Sequence, residues 1–536
     1  MQIPRQIPSA ASPLPSLKET RSVDGSGNDL SNPTENQADT VFLRQSPAAY
    51  ADGIDAPSGA DRPGPREISN GVLEERGRFH DARKMSAMTW AWGQFLDHDI
   101  TSTPNPGRPD LNISVPAGDR HFDPHGEGKA IIPFSRSTAA EGTGVGTDTP
   151  REQKNDITGW IDASMVYGSD AHRAAALRSF EGGRLKTSEG NFLPFNTMGL
   201  TNDNPTRRPE ASLMAAGDAR ANENLGLLSL QTLFMREHNR LVAEFAAQDP
   251  TLNDESLYQM ARKVVGALVQ NITVNEYLPS LFGKDTLGPY EGYKPEVDAR
   301  ISNEFSTAAY RMGHSQVEPL IWREGADGNR IPENDVAMLN AYFAPEKLNE
   351  GGIDPLLRGL VSFTQEPTDE GITSALRNML FGKPGRGGMD LAALNVQRGR
   401  DHGLPDLNTM RESYGLSPYA DFNALTGGDE KLNRKLSSVY SDISQVDPWV
   451  GMLCEDPEQG SSVGPTIRTI VSDQFQRLRD GDRFWFENDA DLAGLKESIR
   501  DTSLMDVIRR NTEIGAEVDD TPFFAHKTGR GSRDQA

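Results

Sequence analysis

Residues 82–100 read ARKMSAMTWAWGQFLDHDI, and Met85, Met88, Trp92, Phe95 and Leu96 recur in it at helical spacing. The pattern predicts a helix with one buried stripe. On that helix Gln94, Asp97 and His98 share a face, because positions i, i+3 and i+4 are neighbours. Asp99 points about 100° away from His98. Three polar side chains on one face of a helix otherwise rich in Trp, Phe and Met need a polar partner. A neutral imidazole placed among them can take a proton from one atom and return it to another. Spacing alone leaves a second reading open: a solvated face on a helix that ends in Asp-His-Asp.

A longer helical pattern runs from about residue 219 to 247. There Leu225, Leu228, Leu233, Phe234 and Leu241 keep the period, and Asp218 is its expected N-cap. Further helices are expected at 256–279, 301–315, 372–380 and 463–479. Alternating strand patterns are scarce and short. No internal repeat, heptad array or composition break divides residues 21–520. The fold class expected is mainly α: one large domain over 21–520 with long irregular connections and little β. Residues 1–20, Pro- and Ser-rich, are expected to be disordered, and 521–536 form a tail. The segment Gly382-Lys-Pro-Gly-Arg-Gly-Gly follows no strand and lacks GK[ST], so it reads as a turn and not a phosphate loop.

With 55 Lys and Arg against 78 Asp and Glu, the 536-residue chain carries a net charge of −23. Such a surface repels phosphate backbones and anionic lipid, which argues against nucleic acid as a partner. Cys454 is the only cysteine, so this chain alone builds no disulfide, iron–sulfur cluster or thiolate zinc site. A buried thiol is the expectation for it. No stretch approaches the roughly 20 apolar residues that cross a bilayer. The opening MQIPRQIPSAASPLPSLKET has no apolar core of a secretory leader.

The segment GQFLDHDIT resembles the distal-helix signature of animal-type haem peroxidases, the peroxidasin–cyclooxygenase superfamily. IDASMVYGSD, REHNRL, YRMGH and LNVQRGRDHGLP resemble further motifs of that family in the same order, as does GDRFWFEN near the C-terminus. The likeness covers residues 21–520. Any one motif could arise by chance; the ordered set is specific.

The resemblance implies roles residue by residue. His98 matches the distal acid–base histidine, with Gln94 beside it ordering water or a halide. Arg220 matches the distal arginine, which stabilises charge as the peroxide bond breaks. Asp97 and Glu223 match two carboxylates that form ester bonds to haem in this family. Asn224 stands where one member carries a methionine that makes a sulfonium link. That departure favours bromide, iodide or thiocyanate over chloride. His314 matches the iron's proximal ligand, Gly313 lets the backbone approach the porphyrin, and Asn395 matches the partner of the histidine's other nitrogen. Arg311 and Arg398 are the expected partners of haem propionates. Without the resemblance His238 and His402 would compete with His314 for the iron. The commoner structural role is expected for both.

The resemblance also implies a calcium ion. Thr158, Trp160, Asp162 and Ser164 alternate along TGWIDAS and offer hydroxyl, carbonyl and carboxylate oxygens, with Asp99 as the second carboxylate. A capping turn would explain the same spacing. Because Asp99 adjoins His98, the ion would fix the distal helix.

The expectation is an enzyme with haem b and calcium as cofactors. It would use hydrogen peroxide to oxidise halides, pseudohalides or aromatic donors. A fatty-acid dioxygenase on the same scaffold is the rival. In cyclooxygenases the radical-forming tyrosine lies three residues before the proximal histidine; here that place holds Arg311, and Tyr310 lies four before. A non-catalytic adhesion or matrix relative is the third reading, and it would have lost His98, Arg220 or His314. The family implies an extracellular destination, and the single cysteine suits a bacterial member. Oligomeric state is not legible.

Overall fold

The helix expected around Trp92 is present in the computed structural model, which describes residues 13–527 apart from 76, 78, 79 and 285. Helix α1 spans Met88–Ile100. It starts six residues later than its apolar period suggests, because the preceding backbone is paired elsewhere. Ser86 N donates to Phe523 O at 3.0 Å, Gln365 N to Met85 O at 2.9 Å and Ala87 N to Phe363 O at 3.0 Å.

Helix α2, Leu225–Gln248, is buried along most of its length and on nearly every side, as befits the central helix of a large core. Its cap is Asn224, whose side chain accepts from Leu227 N at 2.9 Å. Asp218 does not cap it. Its carboxylate is taken by Arg220, so residues 218–224 form an irregular entry ahead of the helix. Helix α3, Asp254–Ile272, packs against α2. It then widens into a π turn over Thr273–Tyr277 and resumes as Leu278–Phe282, where one continuous helix was expected.

The pattern at 301–315 likewise resolves into two pieces. Asn303–Thr307 is α-helical; the chain breaks at Ala308 (φ −129°, ψ −71°); Ala309–His314 is 3₁₀. The expected helix at 372–380 shortens to Ser374–Asn378. Helix α4, Leu391–Asp401, carries the LNVQRGRD motif, and α5, Pro465–Asp480, matches its expected span. Among the described residues the sheet content is three two-stranded antiparallel ladders, such as Thr40–Val41 against Lys154–Asn155. The fold is mainly helical, as the sequence indicated.

An aromatic trio binds α1 to α2. Trp92, Phe95 and Phe234 are fully buried, with ring centroids 5.1–5.7 Å apart. Rings at such separations hold the two helices in one register, which places the Gln94–His98 face opposite the 218–224 entry. Residues 13–20, expected to be disordered, are ordered: Lys18 N and Glu19 N donate to Asp491, and Glu19 pairs with Arg483 at 2.6 Å. Residues 1–12 lie outside the described residues. At the other end Lys527 reaches Glu324 at 2.7 Å. Among the described residues no helix is long and apolar enough to cross a membrane.

Candidate active site

A cavity of about 280 Å³ opens between α1, the 218–224 entry and the 3₁₀ segment. Gln94, Asp97 and His98 line it from α1, Arg220 and Glu223 from the entry, and Tyr310 to His314 from below. The face read from the sequence is therefore a cavity wall and not a solvated surface.

On the distal side Gln94 is held at both ends of its amide. Its Nε2 donates to Glu223 Oε2 at 2.7 Å, and its Oε1 accepts from Asn224 Nδ2 at 2.8 Å. His98 is 3% exposed. Its Nδ1 lies 3.5 Å from Asp218 Oδ1 and its Nε2 3.9 Å from Glu223 Oε2. Burial, with the Arg220 charge beside it, lowers its pKa to about 3. The ring is a neutral imidazole at ordinary pH. Arg220 is clamped by Asp218, Nε to Oδ1 at 2.9 Å and Nη2 to Oδ2 at 2.8 Å, and its Nη2 also donates to Thr101 O at 3.0 Å. Burial alone would weaken the guanidinium's hold on its proton; Asp218, Asp97 and Glu223 outweigh it and keep the group charged. Burial raises Asp218 in turn, but Arg220 and His98 bring it down to about 2.

Asp97 and Glu223 keep part of their side chains open to the cavity yet sit far from bulk water. That burial pushes them up to about 6 and about 8, against the pull of Arg220. Both acids hold a proton more firmly than an ordinary carboxylate.

On the proximal side His314 ends the 3₁₀ turn. Its Nδ1 lies 2.6 Å from Nδ2 of Asn395 on α4, while Asn395 Oδ1 accepts from Arg311 Nη1 at 3.1 Å. Burial, then the Arg311 charge, lowers His314 to about 3. With Nδ1 engaged, the ring's other nitrogen is free for the cavity. A Cβ at Gly313 would meet nothing nearer than Gln316 Oε1 at 3.7 Å, so the space over it belongs to the cavity.

Below α1 the loop 158–164 wraps Asp99. Asp99, Thr158, Trp160, Asp162 and Ser164 are all buried. Ser164 Oγ donates to Asp99 O at 2.8 Å, Ala163 N to Asp99 Oδ2 at 3.2 Å and Thr158 Oγ1 to Asp162 Oδ2 at 3.3 Å. Ala163 takes a left-handed conformation (φ 64°) that a non-glycine residue seldom adopts. Burial raises both Asp99 and Asp162. At Gly217 a Cβ would fall 2.1 Å from Ser164 O, so only glycine lets this loop touch the irregular segment leading to Arg220. The five oxygen-bearing residues named from the sequence are together.

The model of the family described as animal haem peroxidase matches residues 20–523. The chain belongs to that family. It is 36% identical over 507 residues to peroxinectin A of Dictyostelium discoideum, covering 92% of this chain and 94% of that protein. It is 35% identical to thyroid peroxidase of Sus scrofa, of which it spans 58%. The solved structure of peroxidase A from Dictyostelium discoideum superposes with a TM-score of 0.89 at 35% identity, over 95% of this chain and all of that one. A fatty acid alpha-dioxygenase from Arabidopsis thaliana superposes at 0.78 with 21% identity, which is a likeness of fold. The protein is thus a peroxidase-type oxidoreductase of a haem family.

The cavity residues fit a haem with one adjustment. As placed, the Asn395 amide turns its nitrogen toward His314 Nδ1. A ring that binds iron through Nε2 needs its proton on Nδ1 and an amide oxygen opposite it. A half-turn of the Asn395 amide supplies this and releases Arg311 for a propionate. For calcium, the two buried acids and the hydroxyl and carbonyl oxygens of the 158–164 loop form a hard-oxygen donor set. Among the described residues no three or more His, Cys, Asp or Glu are grouped so that they could hold a metal ion, so such a site depends on neutral oxygens.

Arg398 lies apart from the cavity. Its Nη1 donates to Ser137 Oγ at 2.7 Å and Asp401 Oδ2 at 2.9 Å, and its guanidinium covers the Phe134 ring. Arg311, by contrast, lines the cavity. His238 is spent on Tyr167 Oη and Gly183 O, and His402 on Ser137 and Asn303. Both are core residues. Cys454 is buried and free, and residues 382–388 close a tight turn through Arg386 N to Lys383 O at 2.9 Å. Reading the sequence missed Trp90, Tyr277 and Tyr342 as cavity residues, and Asp218 as the clamp on Arg220. Trp90 carried a signal, since it lies four residues before Gln94. Tyr277 carried none, because the π turn that aims it breaks the helical period.

Proposed function

We propose that the protein uses hydrogen peroxide to oxidise bromide, iodide, thiocyanate or small aromatic donors. The observation that supports this is the convergence of His98, a clamped Arg220 and His314 on one cavity. Haem, held by His314 and anchored by Arg311, would supply the iron at which peroxide gives up its oxidising equivalents. His98, a neutral imidazole, takes the proton from the nearer peroxide oxygen and returns it to the departing one. Arg220, kept charged by Asp218, stabilises the negative charge that grows on the leaving oxygen. Gln94, fixed at both ends, holds a water or halide next to His98.

Asp97 and Glu223 are the residues that would form ester bonds to haem, and Asp99 with the 158–164 loop would hold calcium. Asn224 is committed to Gln94 and to capping α2, and an amide makes no sulfonium link. An extracellular site of action accords with an oxidant-producing enzyme.

The test is Soret spectroscopy of haem-loaded protein with peroxide. His98→Ala should keep the Soret band and lose nearly all reaction with peroxide; unchanged turnover would overturn the assignment. Oxygen uptake with linoleate in the absence of peroxide would instead favour the dioxygenase reading.

A further inference from the structure

A second pocket, of about 270 Å³, opens outward behind the cavity wall. Its lining is mainly apolar, with Pro319, Ala337, Leu339 and Met379 among its residues. Met338, buried, lines both the cavity and this outer pocket, so the two spaces share a wall. The chain crosses the same partition within four residues. Gln316 and Val317 face the cavity, Pro319 faces the pocket, and Met338 N donates to Pro319 O at 2.9 Å.

Between them Glu318 is buried, and its Oε2 accepts from Trp90 Nε1 at 2.9 Å. Trp90 lies on α1 one turn before Gln94 and lines the cavity. The steps of peroxide cleavage use neither residue. The plain alternative is a core pair that merely satisfies an indole N–H. Against it, Glu318 Oε1 has no hydrogen-bond partner among the described residues. A buried carboxyl with an unused oxygen is costly to keep for packing alone. Indole is also among the side chains most readily oxidised by one electron.

We propose that the outer pocket is a second oxidation site, for phenolic donors too bulky to enter the cavity, and that Trp90 relays the electron inward with Glu318 as its positioning residue. This rests on the peroxidase reading given above. The Trp90 indole would give up one electron to the oxidising equivalents that a bound haem supplies after peroxide, and no heavy-atom bond breaks. The Nε1 proton, made more acidic, stays in its hydrogen bond to Glu318 Oε2. A phenol in the outer pocket then gives one electron to the indole and its proton to water. Two phenols and one peroxide yield two phenoxyl radicals and two waters, which balances electrons and protons.

The experiment compares iodide with feruloylated arabinoxylan, a phenol tied to a polymer, as donors to the haem-loaded protein. Freeze-quenched electron paramagnetic resonance after peroxide is the second readout. Trp90→Phe should lower the ratio of ferulate to iodide turnover by about tenfold or more, and remove an indolyl radical signal. Trp90→Tyr should replace that signal with a phenoxyl one and restore part of the ratio. Ala337→Trp, filling the outer pocket, should lower the ratio and keep the indolyl signal. An unchanged ratio and radical signal in Trp90→Phe overturns the relay. A wild-type protein whose Soret band ignores peroxide and which oxidises no iodide overturns the peroxidase reading itself.

Discussion

Both carboxylate oxygens of Asp218 grip Arg220, at 2.9 and 2.8 Å, while Oδ1 also lies 3.5 Å from His98 Nδ1. One acid thus fixes two cavity residues from behind. Asp218→Asn removes the charge and one acceptor, leaving Arg220 tied mainly to Thr101 O. The rate of the Soret change with peroxide should fall on the order of tenfold to a hundredfold, below the loss seen when a stabilising donor is deleted outright. Haem binding should persist. An unaltered rate would mean that Thr101 O and the remaining amide oxygen suffice to hold the guanidinium.

The role of Asp218 shows where sequence reading stops. The residue stands before a helical pattern, and an acid there reads as an N-cap; the true cap is Asn224, six residues on. The Gln94, Asp97 and His98 face was legible because it depends only on the helical period. The 158–164 oxygens alternate locally, but only the resemblance singled them out as a set with Asp99. Arg398 was legible only as a candidate, because whether an arginine turns to a propionate or to Asp401 depends on how α4 is oriented. Tyr277 and the breaks at Ala308 and Thr273 were hidden because tertiary packing overrides local propensity there.

Asn395 should set the electronic character of the proximal ligand. Asn395→Asp puts an acceptor-only carboxylate opposite His314 Nδ1, which holds the ring's proton more firmly and makes Nε2 a stronger donor. The midpoint potential of the bound haem should fall relative to wild type in spectroelectrochemical titration. A rise, or no change, would show that Asn395 does not face the ligating ring's proton.

Removing calcium should loosen α1. If the 158–164 loop binds the ion at a hundred times its dissociation constant, the linkage is worth about 2.7 kcal/mol. Dialysis against a chelator should lower the melting temperature of wild type, and calcium should restore it. Asp162→Asn should melt lower at the outset and respond little to either treatment. Equal responses in the two proteins would move the ion elsewhere.

Glu223 offers a test that needs no haem. Its carboxyl is raised to about 8 by burial, against an ordinary value of 4.5. The folded chain therefore holds a proton that the unfolded chain releases, throughout the interval between those values. By linkage this favours the fold at pH below about 4.5, and the advantage is lost as pH climbs toward 8. Glu223→Gln keeps a neutral side chain of the same shape at every pH and can still accept from Gln94. In the haem-free protein its melting temperature should match wild type near pH 4.5 and exceed it increasingly up to pH 8, with no further gain above. A constant offset across that range would mean that Glu223 is ionised in the folded protein. It would then be a fixed anion beside Arg220 and not an acid poised for esterification.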